Sequence, residues 1–187
     1  MAEGRKSNMA FWNSRGLRGS ALEEMVNLTN TYYRNHGLAL FQKIPTPITP
    51  VEVDNKRHTI TQAYFEQNST VDYIGVVQGI PVCFDAKETA QKHLPLQNIH
   101  EHQVLFMRDF QRQQGIAFLL VYFSSFDEYY FLPLATLLQY WEGAKKGGRK
   151  SIPYEAFEKK YQIIKKGSGI LLYLDAVARY LEETEQD

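Results

Sequence analysis

The chain has 187 residues, 44% hydrophobic and 22% charged, with 21 basic side chains against 21 acidic ones. That balance fits one globular domain with a sizeable core and excludes a disordered or fibrous chain. A single cysteine, Cys83, excludes an internal disulfide and a cysteine-based zinc site, and with neither a membrane-length apolar run nor a leader peptide a reducing, cytoplasmic setting is expected.

The charges are segregated. Residues 1–18 carry Arg5, Lys6, Arg15 and Arg18 against Glu3 and read as a flexible basic arm. A second basic run holds Lys145, Lys146, Arg149, Lys150, Lys159, Lys160, Lys165 and Lys166, while Glu182, Glu183, Glu185 and Asp187 make the tail acidic. A neutral chain can still present a phosphate-binding surface when its positive segments cluster.

The folded domain is expected over residues 19–187. Ser20, with Glu23 three residues later, matches a capping box, and Leu22, Met25, Val26, Thr29 and Tyr33 follow at helical spacing until Gly37. Residues 38–43 read as a strand. Pro45, Pro47 and Pro50 then exclude a helix or a central strand, so 44–70 is expected to project from the domain as a stalk. Residues 71–86 read as a β-hairpin turning at Gln78-Gly79, and 98–114 as a helix. The continuous apolar run Ile116–Phe123 marks a buried central strand. A short strand at 129–132 leads into a helix with Pro133 in its first turn, and 153–160 and 173–184 are expected to be helical. This order predicts an α/β (α+β) domain with a mixed central sheet flanked by helices.

The hairpin carries the chemistry. With Gln78 and Gly79 in the turn, Val77 pairs with Ile80 and Asp72 falls opposite Asp85. Directly opposed side chains share a face with Cβ atoms roughly 4.5–5.5 Å apart, and two like charges there are unfavourable without a positive group between them. A divalent cation supplies that charge, and oxygen ligands suit Mg²⁺ or Mn²⁺. Lys87 shares the face by strand alternation. Val82, Phe84 and Ala86 point the other way, free to pack on a helix. Cys83 lies on the Asp85 face among apolar neighbours and reads as a buried thiol.

The stretch Ser69-Thr70-Val71-Asp72-Tyr73, then Asp85-Ala86-Lys87-Glu88-Thr89, resembles the RecU family of Holliday junction resolvases, within the PD-(D/E)xK nuclease superfamily. The likeness runs from about Asn13 to the C-terminus. It takes in Gly19 with Glu23, Lys43-Ile44-Pro45-Thr46-Pro47, Lys56-Arg57, Ala63-Tyr64-Phe65, Pro95-Leu96-Gln97-Asn98-Ile99-His100 and Gly148-Arg149-Lys150-Ser151-Ile152.

The resemblance implies a restriction-endonuclease-like core and a metal-dependent endodeoxyribonuclease, a homodimer that places paired symmetric nicks in a four-way DNA junction during recombination and repair. Asp72, Asp85, Glu23 and the Ala86 carbonyl are then the Mg²⁺ or Mn²⁺ ligands, and Lys87 a catalytic residue beside them. Lys56, Arg57, Thr70, Gln97, Arg149 and Lys150 are expected at DNA, and a RecA-type recombinase or branch-migration helicase as a further partner. The family usually has Glu where this chain has Asp85. A catalytically silent junction-binding or recombinase-modulating protein is the alternative, against which Asp72, Asp85, Lys87 and Glu23 all stand.

Other features are weaker. His100 and His102 lie two apart on an expected helix and should not share a face. Tyr64 and Phe65 in the stalk are candidates for stacking on bases. Gly147-Gly148 reads as a flexible basic loop, and neither a Walker pattern nor GxGxxG occurs.

Overall fold

A computed structural model describes residues 20–65 and 70–184; the expected basic arm and the last three residues lie outside these segments. The elements run α1 (Ala21–Asn35), β1 (Leu40–Lys43), β2 (Ile48–Asp54), β3 (Thr59–Phe65), β4 (Tyr73–Val77), β5 (Ile80–Thr89), β6 (His93–Pro95), α2 (Glu101–Arg112), β7 (Ile116–Phe123), β8 (Glu128–Pro133), α3 (Leu134–Lys145), β9 (Ser151–Pro153), β10 (Gln162–Ile163), β11 (Lys165–Lys166), β12 (Ile170–Leu171) and α4 (Tyr173–Thr184). None of the described helices is long and apolar enough to cross a membrane.

Six strands form one mixed sheet in the order β1-β4-β5-β7-β8-β10. Among the described strands only β5 and β7 pair in parallel; their connection passes through α2, as a parallel pair requires a long crossover. Strand alternation decides which helices cover which face. Phe84, Phe118 and Phe131 turn toward α1 and α4, where Leu22, Val26, Tyr173 and Val177 complete one core. Cys83, Leu119, Val121 and Leu132 turn toward α2 and α3, where Val104, Met107 and Leu137 complete a second. The Phe84 ring stacks on Tyr73 at 4.8 Å and on Phe118 at 4.9 Å, contacts worth about 0.5–1.5 kcal/mol each beyond burial. This is the expected mixed sheet flanked by helices.

Ser20 caps α1, its Oγ accepting the Glu23 N–H at 3.2 Å. The reciprocal half of the expected capping box is absent, because the Glu23 carboxylate turns to Lys43 of β1 at 2.6 Å. Where a stalk was expected, β2 and β3 form a two-stranded ribbon that pairs outside the main sheet. Pro50 lacks an N–H, and the ladder around it is irregular, with register shifts between Pro50 and Glu52 and between Glu52 and Val53. At the tip, Asp54 Oδ1 accepts the N–H groups of Lys56 at 2.9 Å and Arg57 at 3.1 Å.

Residues 153–160 are not a helix. They contain the end of β9 and single 3₁₀ turns at Tyr154–Ala156 and Lys159–Tyr161 before β10 joins the sheet. Phe157 and Tyr161 are four apart, as in a helix, but they enter opposite cores. The chain must therefore pass around the sheet edge instead of winding along one face.

Candidate active site

The β4–β5 turn sets the register. Gln78 and Gly79 have φ of 47° and 92°, the pair of positive values that a two-residue I′ hairpin needs. Val77 accordingly pairs with Ile80, and the ladder runs to Tyr73 opposite Phe84. Asp72 follows directly beyond it, where each aspartate binds the other's strand. The Asp72 N–H donates to Asp85 Oδ1 at 3.0 Å, and the Ala86 N–H donates to Asp72 Oδ2 at 2.9 Å. In an extended strand the N–H and C=O of one residue share an edge, so the Ala86 carbonyl faces the Asp72 side.

Asp85 is fully buried, because its side of β5 is covered by α2. Gln103 on the first turn of α2 donates from Nε2 to Asp85 Oδ1 at 3.0 Å. Its Oε1 accepts from Lys87 Nζ at 3.3 Å and from the His100 N–H at 3.2 Å. Lys87 Nζ lies 2.5 Å from Asp85 Oδ2. That contact is an ion pair at poor angle, and Oδ2 has no well-directed hydrogen bond.

Burial, then the Asp85 charge, raises the Asp72 carboxyl to about 6, with the Ala86 N–H and Lys87 opposing the rise. Two close carboxylates with one ammonium leave an excess of negative charge in a partly dry site. A buried carboxylate oxygen without a directed donor, beside a second carboxylate, is a donor set of hard oxygens. It fits a Mg²⁺- or Mn²⁺-type cation. Among the described residues, no group of three or more His, Cys, Asp or Glu side chains is gathered for a metal, so a carbonyl such as that of Ala86 would have to complete the set.

The family model RecU, Recombination protein U, matches residues 17–179. The chain belongs to the RecU family. It is similar to the Holliday junction resolvase RecU of Pediococcus pentosaceus, 41% identical over 89% of this chain and 86% of the relative. It is likewise similar to the Holliday junction resolvase RecU of Oenococcus oeni, 44% identical over 86% of this chain and 82% of the relative. Among solved structures, Hjc of Archaeoglobus fulgidus, a Holliday junction resolvase, matches with a TM-score of 0.47 at 11% identity, covering 74% of this chain and 91% of that one, a likeness too distant to carry weight.

The other residues expected from the RecU resemblance are not all gathered here. Glu23 does not join Asp72 and Asp85 in a three-carboxylate cluster: the Lys43 ion pair turns it aside. It stays near enough that its charge, with that of Asp72, helps raise the Tyr73 hydroxyl above its ordinary value, behind burial as the main cause. Thr70 is half-buried, two residues before Asp72. Gln97, Arg149 and Lys150 are exposed on the α2 and α3 side, with Arg149 Nε donating to Ser151 Oγ at 2.9 Å. Lys56 and Arg57 are exposed at the ribbon tip, and Tyr64 is exposed on its flank; the Phe65 side chain lies outside the described part.

Gln103 was missed in the sequence. Its signal was a glutamine three residues after a helix cap, but the cap is His100, not a residue near 98. The same shift corrects the histidines. His100 sits outside the helix, so its ring lies parallel to that of His102 at 5.4 Å instead of diverging.

Proposed function

We propose that the chain is a structure-selective endonuclease that resolves four-way DNA junctions by metal-dependent phosphodiester hydrolysis. The observation that carries the chemistry is the interlocked pair Asp72 and Asp85 with Lys87 on the same face of β5. Family membership and relatives named Holliday junction resolvase RecU support the substrate.

Asp72, Asp85 and the Ala86 carbonyl are the residues that would hold Mg²⁺ or Mn²⁺. When bound, such a cation supplies Lewis-acid stabilisation of phosphate charge and eases deprotonation of the attacking water. The protein's own part is to hold these groups before substrate arrives. Each aspartate is fixed through the other's strand, so neither needs to reorganise. Lys87 presents a preorganised positive charge at the rim of the pair, suited to a scissile phosphate oxygen and the attacking water. Gln103 positions both Lys87 and Asp85. Glu23 is left outside this ligand set.

Selectivity is assigned to shape. Lys56 and Arg57 stand on an exposed ribbon away from the site, where cations meet phosphates without reading bases. The described chain carries one such site, and paired symmetric nicks need two; the reading therefore includes a homodimer.

A cleavage assay tests this directly, comparing a four-way junction with linear duplex in Mg²⁺, Mn²⁺ and chelator. Symmetric junction cutting that stops in chelator is expected. Preference for linear duplex, or cutting that survives chelation, would overturn the reading.

A further inference from the structure

A second concavity adjoins the nuclease site. A cavity of about 590 Å³ opens between β6, the turn at Leu96–Asn98, the end of α3 and the start of β9. Its lining includes Trp141, Lys145 and Lys150, with Gln91, His93 and Gln97. The walls are braced: β6 pairs with β9, and the Leu96 N–H donates to the Lys150 carbonyl at 3.1 Å.

Its position follows from α2. Lys145 Nζ lies 3.1 Å from the carboxylate of Glu101, the first residue of that helix, 3.9 Å from that of Glu142 and 5.8 Å from the centre of the Trp141 ring. The Leu96–Asn98 turn on the cavity wall leads into His100, whose N–H donates to Oε1 of Gln103, the side chain that holds Asp85 and Lys87. The segment 96–103 therefore runs from the cavity wall to the nuclease site.

A flat aromatic wall flanked by cations, with amide and imidazole groups at the rim, matches a planar ring joined to an anion. The volume lies in the usual range for such ligands, about 300–1,000 Å³. Lys150 has no carboxylate partner among the described residues, which leaves its charge for a phosphate. DNA engaged at the site would bring this chemistry with it. Unstacking a base is unfavourable in intact duplex and easier where stacking is already broken, as at a branch point.

We propose that this cavity captures one unstacked nucleobase of the strand being cut, stacked on Trp141, with Lys150 on a flanking phosphate. The proposal rests on the junction-cutting reading and adds a device that selects where along the branch the cut falls.

Single abasic sites placed in turn along the cleaved strand test it. At one position the abasic site should slow the wild-type protein at least about tenfold, while Trp141→Ala is slow on the intact junction and insensitive to that abasic site. Trp141→Phe should restore most of the effect. Equal responses of wild-type and Trp141→Ala at every position would overturn the proposal.

Because Trp141 also packs on the core, a second measurement does not depend on that variant folding. Trp12→Phe leaves Trp141 as the remaining one of two tryptophans. Combined with Asp72→Asn to prevent cutting, its emission should be quenched by the intact junction and much less by the junction carrying the critical abasic site. Unchanged emission on saturating binding would overturn the cavity assignment. Failure of the wild-type protein to cut an intact junction would instead overturn the parent reading, so the two failures are separable.

Discussion

The proposed nuclease site and the β2–β3 ribbon are built by opposite rules. Asp72, Asp85, Lys87 and Gln103 sit at the sheet and against α2, with Asp85 fully buried and each polar group braced by another. The β2–β3 ribbon pairs only with itself, and its tip holds Lys56 and Arg57 in solvent. Catalysis needs groups fixed before substrate arrives, which a two-sided core provides. Engagement of a bulky, irregular DNA shape needs reach, which a ribbon outside the core provides. Changes in the first region should therefore damage chemistry and stability together, and changes in the second should damage DNA engagement alone.

The largest effect is expected at the aspartates. Asp72→Asn should lower junction cleavage by at least about 10³-fold while sparing junction binding, since it removes a ligand oxygen's charge without changing shape. Single-turnover cleavage and a gel-shift titration on the same protein check this; near-normal cleavage would remove Asp72 from the site.

Lys87→Ala should cost about 10²–10³-fold in rate and also lower stability, because it leaves the buried Asp85 charge with Gln103 as its remaining side-chain partner. Denaturant unfolding beside kinetics tests the coupling. A rate loss with unchanged stability would show that Lys87 does not brace Asp85.

Gln103→Leu should lower the rate by roughly 10–100-fold, as expected for loss of a positioning contact, and stability by about 1–3 kcal/mol for unsatisfied buried partners. Arg57→Ala, by contrast, removes an 83% exposed side chain whose only ion pair among the described residues is a 3.8 Å contact to Asp54. It should weaken junction binding by up to about tenfold at low salt with Tm unchanged. A fall in Tm would mean the ribbon is part of the core after all.

The smallest effect concerns pH. The folded Asp72 carboxyl is raised to about 6 from an ordinary value of 3.8, so the native state holds that proton more tightly than the unfolded chain. The cost of ionising it is absent below about 4, grows between about 4 and 6, and is complete above. Metal-free wild-type protein should thus lose stability across this window relative to Asp72→Asn. Added Mg²⁺ should restore stability increasingly over the same range, as thermal unfolding with and without chelator would show. Parallel curves for the two proteins would contradict the origin of the shift.

The site was legible to the extent that it depended on local geometry. A two-residue Gln-Gly turn sets the hairpin register, and continuing that register past Tyr73 and Phe84 brings Asp72 to Asp85 with Lys87 on the Asp85 face. The prolines excluded a helix or central strand from 44–70, but the paired β2–β3 ribbon was not legible, because its bulges break the alternation that marks a strand. The segment 153–160 was expected to be helical, but it passes around the sheet edge, with Phe157 and nearby Tyr161 entering opposite cores, a placement set by packing and not by local spacing.

What the sequence determined by itself was the register, the strand faces and the identity of the acidic pair with its lysine, all consequences of turn chemistry and period-two alternation. Tertiary structure alone decided that Gln103 braces Asp85, that Lys43 draws Glu23 aside, and that Trp141 meets Lys150 across a cavity. Those contacts join residues distant in the chain, and side-chain partners across packed layers leave no periodic trace in either segment.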